Sequence, residues 1–214
     1  MSLIDKTILF VKQQLENAEG GHDWFHIERV YKNALLIAQE ETCDLTVVKL
    51  GALLHDIADS KFHNGDETVG PKIARAFLES QNATEETIVH VINIIENISF
   101  KGGNFEKKFS SKELQIVQDA DRLDAIGAIG IARCFNYGGF KNRALYNPAI
   151  APKLNMSKEE YKNSDAPTLN HFYEKLLLLK DKMNTVTGRK IAEARHQYME
   201  NFLSQFYAEW EGEK

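Results

Sequence analysis

Proline is scarce and clustered in this chain of 214 residues, and its distribution limits the possible folds more than any other feature. Three of the four prolines, Pro148, Pro152 and Pro167, fall in one stretch, and Pro71 follows a glycine. Because proline in a helix interior removes a backbone hydrogen bond and clashes with the preceding turn, long helices can run uninterrupted elsewhere. We find no alternating strand pattern of useful length. The sequence therefore predicts an all-α fold, a single-domain helical bundle.

Apolar spacing and capping residues indicate where the helices lie. Asp23 can cap the second helix, whose apolar residues repeat at spacings of three and four, and Asp44 can cap a third that is apolar on all sides and so belongs in the interior. Capping-box spacings at Asn82 and Ser110 open two further helices. Beyond the second helix, the predicted helices cover about 45–58, 84–99, 111–126, 168–184 and 187–211.

We expect one domain over residues 1–214, with its core at about 20–135. A long connection follows at about 136–167, where Gly138, Gly139 and three prolines occur, and the C-terminal helices at about 168–211 pack on the core. Connections of this length within one domain are uncommon and often act as lids or binding loops.

Composition narrows the class of protein. The 26 basic and 31 acidic residues give a net charge of -5, which argues against nucleic acid as a partner, since that affinity depends on neutralising many phosphates. Cys43 and Cys134 are far apart, so the sequence has no Cys-X-X-Cys site, and a reducing cytoplasm fits best. No apolar run reaches the roughly 18 residues of a membrane span. We therefore expect a cytoplasmic protein with no membrane partner. A small anionic substrate stays open provided that a local cation cluster or a metal meets its charge, and a homodimer is a further open possibility.

Four polar residues on three predicted helices suggest a metal site. His55 and Asp56 end the buried third helix, where an isolated carboxylate is costly without a cation and the helix dipole favours one. His26 lies beside an apolar stripe, and Asp121 and Asp124 share an inward face at helical spacing. A lone polar residue on such a face more often makes a structural hydrogen bond or ion pair. Four of them from three helices favour a divalent ion.

The order His26, His55-Asp56, Asp121 resembles the H…HD…D signature of the HD-domain metal-dependent phosphohydrolases, a helical superfamily. The likeness extends over about residues 5–210 and is greatest to the YpgQ/YedJ-like subgroup. It is carried by the runs 21–30, 54–62, 118–133 and 171–176. The resemblance implies that His26, His55, Asp56 and Asp121 hold one divalent ion, which could be Mn, Mg, Ni, Co, Fe or Zn.

The resemblance also implies a hydrolase of nucleotides, most readily of nucleoside or deoxynucleoside triphosphates, that uses a metal-activated water. Attack at the α-phosphorus would release pyrophosphate, and attack elsewhere would release orthophosphate. Two alternatives stay open, a nucleoside monophosphate phosphatase and a metal-holding sensor that binds a nucleotide without turnover.

Further residues are candidates for contact with the substrate or the attacking water, although each could instead be an ordinary surface or helix-end residue. Asp59 could act as a general base, and Asp124 could pair with Arg122, Arg133 or a substrate hydroxyl. We expect Asp119 to support a ligand or lie at the surface, and His90 to be a hydrogen-bonded core histidine unless a second metal binds. The catalytic candidates are Asp59, Arg122, Lys61 and His63, and the substrate-binding candidates are Lys175, His171, Asp124 and His22.

Overall fold

A computed structural model describes residues 1–16, 23–58, 66–98, 109–157, 160 and 164–214. In this part of the chain there are nine α-helices and no strand, so the predicted all-α fold is confirmed. The helices are α1 (Leu3–Gln14), α2 (Trp24–Ala38), α3 (Leu45–Leu54), α4 (Val69–Ser80), α5 (Glu85–Asn97), α6 (Lys112–Asp124), α7 (Gly127–Phe140), α8 (Asn170–Glu174) and α9 (Val186–Trp210), with 3-10 turns at Leu176–Leu178 and Lys180–Lys182.

The chain divides into two compact units, Met1–Asp121 and Arg122–Lys214, and the single domain expected from the sequence stays a prediction. Across the described ranges, no helix combines the length and the apolar composition that crossing a bilayer requires.

Helix α3 is the centre of the first unit. It packs against α1, α2 and α5, and Val47, Val48 and residues 50–54 are buried, as its apolar sequence predicts. The helix ends at Leu54 and not near residue 58. In a continued helix, the Ala52 carbonyl would accept a hydrogen bond from a backbone N–H of the next turn. Instead, the His55 Nδ1 contacts this carbonyl at 2.9 Å, so the side chain takes the place of the backbone donor.

Two predicted helix starts are wrong by one or two residues. α5 is capped by Thr84, whose hydroxyl accepts from the Thr87 N–H, and in α6 the Ser111 hydroxyl accepts from the Leu114 N–H at 3.0 Å. Asn82 cannot cap α5 because its φ of 56° is left-handed, whereas a cap residue has extended backbone. The sequence contains two adjacent serines at the α6 start, and the pattern alone selected Ser110, the wrong one.

The prediction of a connection from residue 136 is also wrong at its beginning, because α7 continues to Phe140. Gly138 lies inside this helix, at the point where α7 approaches Thr168 closely. A Cβ on Gly138 would lie 2.1 Å from the Thr168 Oγ1, so the position requires glycine for space. The described residues 141–157 and 164–169 form turns and irregular backbone, in agreement with a connection there.

The predicted helix over 168–184 is interrupted. α8 ends at Glu174, Lys175 leaves the helical region with φ -145° and ψ -55°, and two short 3-10 turns follow. The chain before α8 is held by other partners, because the backbone N–H groups of Thr168 and Leu169 donate to the carbonyls of residues 144 and 145. The last helix, α9, matches the prediction of 187–211 to within one residue and packs on α7.

Candidate metal centre

The first unit brings together four side chains from three helices. His26 lies in the first turn of α2, where the Asp23 side chain caps the helix and accepts from the His26 N–H at 3.0 Å. His55 is the C-terminal cap residue of α3, and Asp56 follows it. Asp121 lies in the last turns of α6. A helix start, a helix end and a helix face therefore converge at one place.

The distances fit a site for a single ion. One ligand atom from each of His26, His55 and Asp56 lies within 4.8 Å of the other two, and this is a possible metal-binding group within the described ranges. The Asp121 Oδ1 lies 3.6 Å from the His26 Nε2 and 4.0 Å from the His55 Nε2. Ligands about 2.0–2.2 Å from a zinc-like or magnesium-like ion lie roughly 3–4 Å apart, so these four side chains need little movement to share one.

The hydrogen bonding of His55 prepares one nitrogen for a metal. Its Nδ1 lies 2.9 Å from the Ala52 carbonyl, and because a carbonyl can only accept, Nδ1 carries the proton. The Nε2 then has a free lone pair. That atom is buried and has no hydrogen-bond partner in the part of the chain that the structure describes, which is costly for a polar atom unless something binds it. The arrangement is the one in which a second contact fixes the tautomer and direction of a metal-binding imidazole.

Burial separates an inner side of the site from an outer side. The side chains of His26 and His55 are each 4% exposed, whereas that of Asp121 is 41% exposed. The two imidazoles therefore border the protein interior, and the Asp121 carboxylate borders solvent. The site also lies at the C-terminal end of α3, where the helix dipole is negative and favours a cation.

Contacts between neighbouring helices hold the ligand-bearing helices in place. The side-chain amide of Asn33 in α2 donates to the carbonyl of Ala120, one residue before Asp121, at 3.3 Å. At the far ends of α3 and α6, the buried Glu113 carboxylate accepts from the Asp44 N–H at 2.8 Å. Sequence reasoning missed Asn33, although it lies seven residues after His26 and so shares its buried helix face.

His90 belongs to a separate network. Its Nε2 lies 3.0 Å from the Ser111 Oγ and 3.3 Å from a Glu113 carboxylate oxygen, so it is a hydrogen-bonded histidine, as expected. It does not belong to the metal-binding group found in the described ranges. Asp119 is fully buried, which makes the surface alternative for this residue wrong.

The remaining predicted residues lie outside the described residues or in the second unit. The former are Asp59, Lys61, His63 and His22. In the second unit, the guanidinium of Arg122 donates to the Lys182 carbonyl, and the buried Asp124 pairs with Arg133, one of its expected partners. His171 lies in α8, and Lys175 follows that helix directly. Contacts of these residues with a substrate stay predictions.

Comparison with known proteins identifies the family. Residues 24–126 match the family model for the HD domain, a range that includes all four side chains of the centre. The Bacillus subtilis (strain 168) protein YpgQ is 38% identical over 199 residues, which cover 92% of this chain and 88% of YpgQ. The chain therefore belongs to the HD-domain family, in the subgroup that includes YpgQ.

Solved structures agree with that assignment. The crystal structure of an HD-superfamily hydrolase from Bacillus thuringiensis has a TM-score of 0.79 and 46% identity, covering 97% of this chain and 96% of the other. The crystal structure of Bacillus subtilis YpgQ in complex with ADP has a TM-score of 0.75 and 35% identity, and the match covers 96% of this chain and 97% of the YpgQ chain.

Proposed function

We propose that the protein is a metal-dependent phosphohydrolase that acts on nucleotides, with nucleoside or deoxynucleoside triphosphates as its substrates. The observation that carries the proposal is the buried His55 Nε2, which has no hydrogen-bond partner within the described ranges and lies beside His26, Asp56 and Asp121. Two imidazoles and two carboxylates are a ligand set of intermediate hardness, which suits Mn, Fe, Co, Ni, Zn or Mg. One ion is the number that these four side chains support.

The four side chains have different roles in the proposed reaction. When bound, a divalent ion lowers the pKa of a coordinated water and polarises a phosphoryl oxygen. His26 and His55 hold the site from the interior, Asp56 adds a half-buried carboxylate beside them, and the Ala52 carbonyl keeps the His55 ring in its binding orientation. The Asp121 side chain is 41% exposed, whereas the two imidazoles are 4% exposed, so we assign the substrate to the Asp121 side of the site.

A nucleotide is the substrate class that the relatives favour. YpgQ has been crystallised with ADP, and another relative of known structure is an HD-superfamily hydrolase. ADP carries two phosphates, so a site that accepts it can accommodate a polyphosphate chain. The chain's own net charge of -5 requires that the negative phosphates meet local cations, which a metal centre supplies.

A substrate screen tests the proposal directly. Metal-free protein is supplied with Mn²⁺, Mg²⁺, Co²⁺, Ni²⁺, Fe²⁺ or Zn²⁺ and incubated with ATP, dATP, ADP or AMP, and the products are separated by chromatography. We expect metal-dependent consumption of the triphosphates, and the release of pyrophosphate or orthophosphate identifies the phosphorus attacked. Turnover of AMP alone would replace the proposal with a monophosphatase. Thermal stabilisation by a nucleotide without any product over hours would replace it with a sensor.

Asp121→Asn tests whether the centre performs the reaction. The variant keeps the shape of the side chain but removes its charge, and we expect metal affinity and turnover to fall together by at least about 100-fold, since loss of a group behind a ligand alone costs 10- to 100-fold. Glu86→Gln is the matched control, because Glu86 is an exposed carboxylate on α5. Turnover in Asp121→Asn equal to that in the control would exclude this centre as the catalyst.

A further inference from the structure

Three residues of the second unit with nitrogen-bearing side chains, Arg143, His171 and Lys175, lie on backbone segments that contact one another. Two backbone hydrogen bonds join the segments that carry them, from the Thr168 N–H to the Ala144 carbonyl at 2.9 Å and from the Leu169 N–H to the Leu145 carbonyl at 3.1 Å. These bonds bring Arg143 beside the start of α8. We call Arg143, His171 and Lys175 the Arg143 cluster.

The guanidinium of Arg143 is held by uncharged groups. It lies over the ring of Tyr137, 5.7 Å from the centroid, and Nη2 donates to the Ser164 carbonyl. A second cation, Lys141, lies over the same ring at 5.7 Å and over the Phe140 ring at 5.2 Å. Because rings and a carbonyl fix the direction of Arg143 without cancelling its charge, the side chain is oriented in advance for an anion.

The pKa of His171 is affected by the positive charges of the cluster. Burial first, and then the charges of Lys175 and Arg143, lower the pKa of His171 to about 4. The imidazole is therefore neutral at pH 7. Among the described acidic residues near these segments, Glu174 accepts from the Lys153 N–H at 3.1 Å, Glu160 pairs with the Lys153 ammonium at 2.7 Å, and Asp165 is exposed. Arg143 and His171 are half-buried and Lys175 is exposed, so an anion from solvent can reach two positive charges that water screens only in part.

We propose that Arg143, His171 and Lys175 form an anion-binding site that takes phosphate groups of a nucleotide, with Arg143 as the principal contact. The planar guanidinium offers two parallel N–H groups to phosphate oxygens, Lys175 adds a point charge, and the imidazole can donate one hydrogen bond. A nucleotide as the natural ligand rests on the proposed function. Binding of a phosphate anion does not, because every residue of the cluster lies in the second unit and every ligand of the metal centre lies in the first.

The test uses inorganic pyrophosphate and the full chain carrying Asp121→Asn, with a chelator present so that the metal centre does not contribute. Calorimetry measures binding, and the His171 ring is followed by NMR as the pH is varied, with its signals assigned from His171→Gln. We expect saturable binding and a pKa of His171 that rises above about 4, because the bound anion offsets the charges of Arg143 and Lys175.

Arg143→Gln should weaken pyrophosphate binding at least about tenfold, as expected for loss of a charged hydrogen-bonding group. Arg143→Lys keeps the charge and should recover part of the affinity, which mere loss of packing would not allow. Arg189→Gln is the matched control, since Arg189 is a second arginine of this unit that donates to a backbone carbonyl, that of Met183, at 3.2 Å.

Either of two results would overturn the proposal: no saturable binding of pyrophosphate to the Asp121→Asn chain, or equal affinities in Arg143→Gln and Arg189→Gln. The proposed function fails by a different result, the absence of hydrolysis by the unaltered, metal-loaded protein. The two failures are therefore distinguishable.

Discussion

The metal centre and the Arg143 cluster are built in different ways. The ligands of the metal centre sit on helices whose limits follow from local sequence, such as α2 with its Asp23 cap and α3 with its apolar run. The Arg143 cluster lies at the end of α7, in irregular backbone and in a helix of five residues. Two backbone hydrogen bonds between residues 144–145 and 168–169 join its parts.

The difference teaches which sites a sequence reveals. Helical periodicity relates residues three or four apart, so the spacing of apolar residues places His26 on an inward face and predicts the same for Asp121, whose side chain lies at the rim of the site and is 41% exposed. Periodicity has no rule that relates residue 143 to residue 171. Three changes, each paired with a control from the same part of the chain, test this contrast.

The largest effect is expected for Gly138→Ala, which attacks the packing that supports the Arg143 cluster. The new Cβ would lie 2.1 Å from the Oγ1 of the buried Thr168, so α7 and this segment must separate. We expect the free energy of unfolding to fall by about 1–3 kcal/mol, as for other overpacked sites, and pyrophosphate binding to weaken. Chemical denaturation and calorimetry measure the two effects.

Gly139→Ala is the control on the same helix, because no atom of the described residues lies within 4 Å of its Cβ position. It should stabilise the protein by roughly 0.5–1 kcal/mol, since alanine favours a helix over glycine. Metal affinity should be unchanged in both variants. Equal stability of the Gly138→Ala and Gly139→Ala proteins would show that the close approach of α7 to Thr168 does not matter.

Asn33→Ala tests whether the contact between α2 and α6 positions the Asp121 ligand. It removes the hydrogen bond from α2 to the Ala120 carbonyl, and with it one constraint on the position of Asp121. We expect metal affinity to fall about tenfold, the lower end of the range for groups behind a ligand. Asn97→Ala is the control, because the Asn97 amide donates to the Asn93 carbonyl of its own helix at 2.8 Å. Competition with a coloured chelator measures both affinities, and an undiminished affinity in Asn33→Ala would contradict a supporting role.

The smallest effect distinguishes two adjacent serines. Ser111→Ala removes the hydroxyl that accepts from the Leu114 N–H at the start of α6 and contacts the His90 Nε2, and should cost about 1–2 kcal/mol of stability. Ser110→Ala, at the position that the sequence pattern favours, should change stability by less than about 0.5 kcal/mol. Thermal unfolding of the two proteins decides between the positions, and the opposite order would restore the sequence-based cap.

The sequence predicted much of the fold, and its errors have physical causes. Buried α3 and the long α9 follow from apolar spacing, and both are observed. The pair Gly138 and Gly139 predicted a break in the helix, but both residues lie within α7. Gly138 is a glycine because Thr168 leaves no space for a Cβ there, and not because the helix ends. The interruption at Lys175 was also missed, since the leucines that follow it keep helical spacing while the chain before α8 bonds to residues 144 and 145.

The candidate site residues were predicted well where local spacing defines them and poorly where tertiary contacts do. His26, His55, Asp56 and Asp121 come together, and their metal-binding role stays a prediction that the distances support. Asp124 is buried against Arg133, a partner that sequence had offered among three. Arg143 carried no signal at all, because its neighbours are defined by contacts across the second unit and not by spacing along the chain.

By itself, the sequence determined the helical class, the principal helices of the first unit and the four polar residues that mark its centre, because capping and periodicity are local properties of a chain. Only the tertiary structure decided that the His55 Nε2 is buried with no hydrogen-bond partner among the described residues, that the Asp121 side chain is 41% exposed, and that Arg143 lies beside the helix of His171. Burial and electrostatic environment depend on which distant segments pack together, and no single stretch of sequence contains that information.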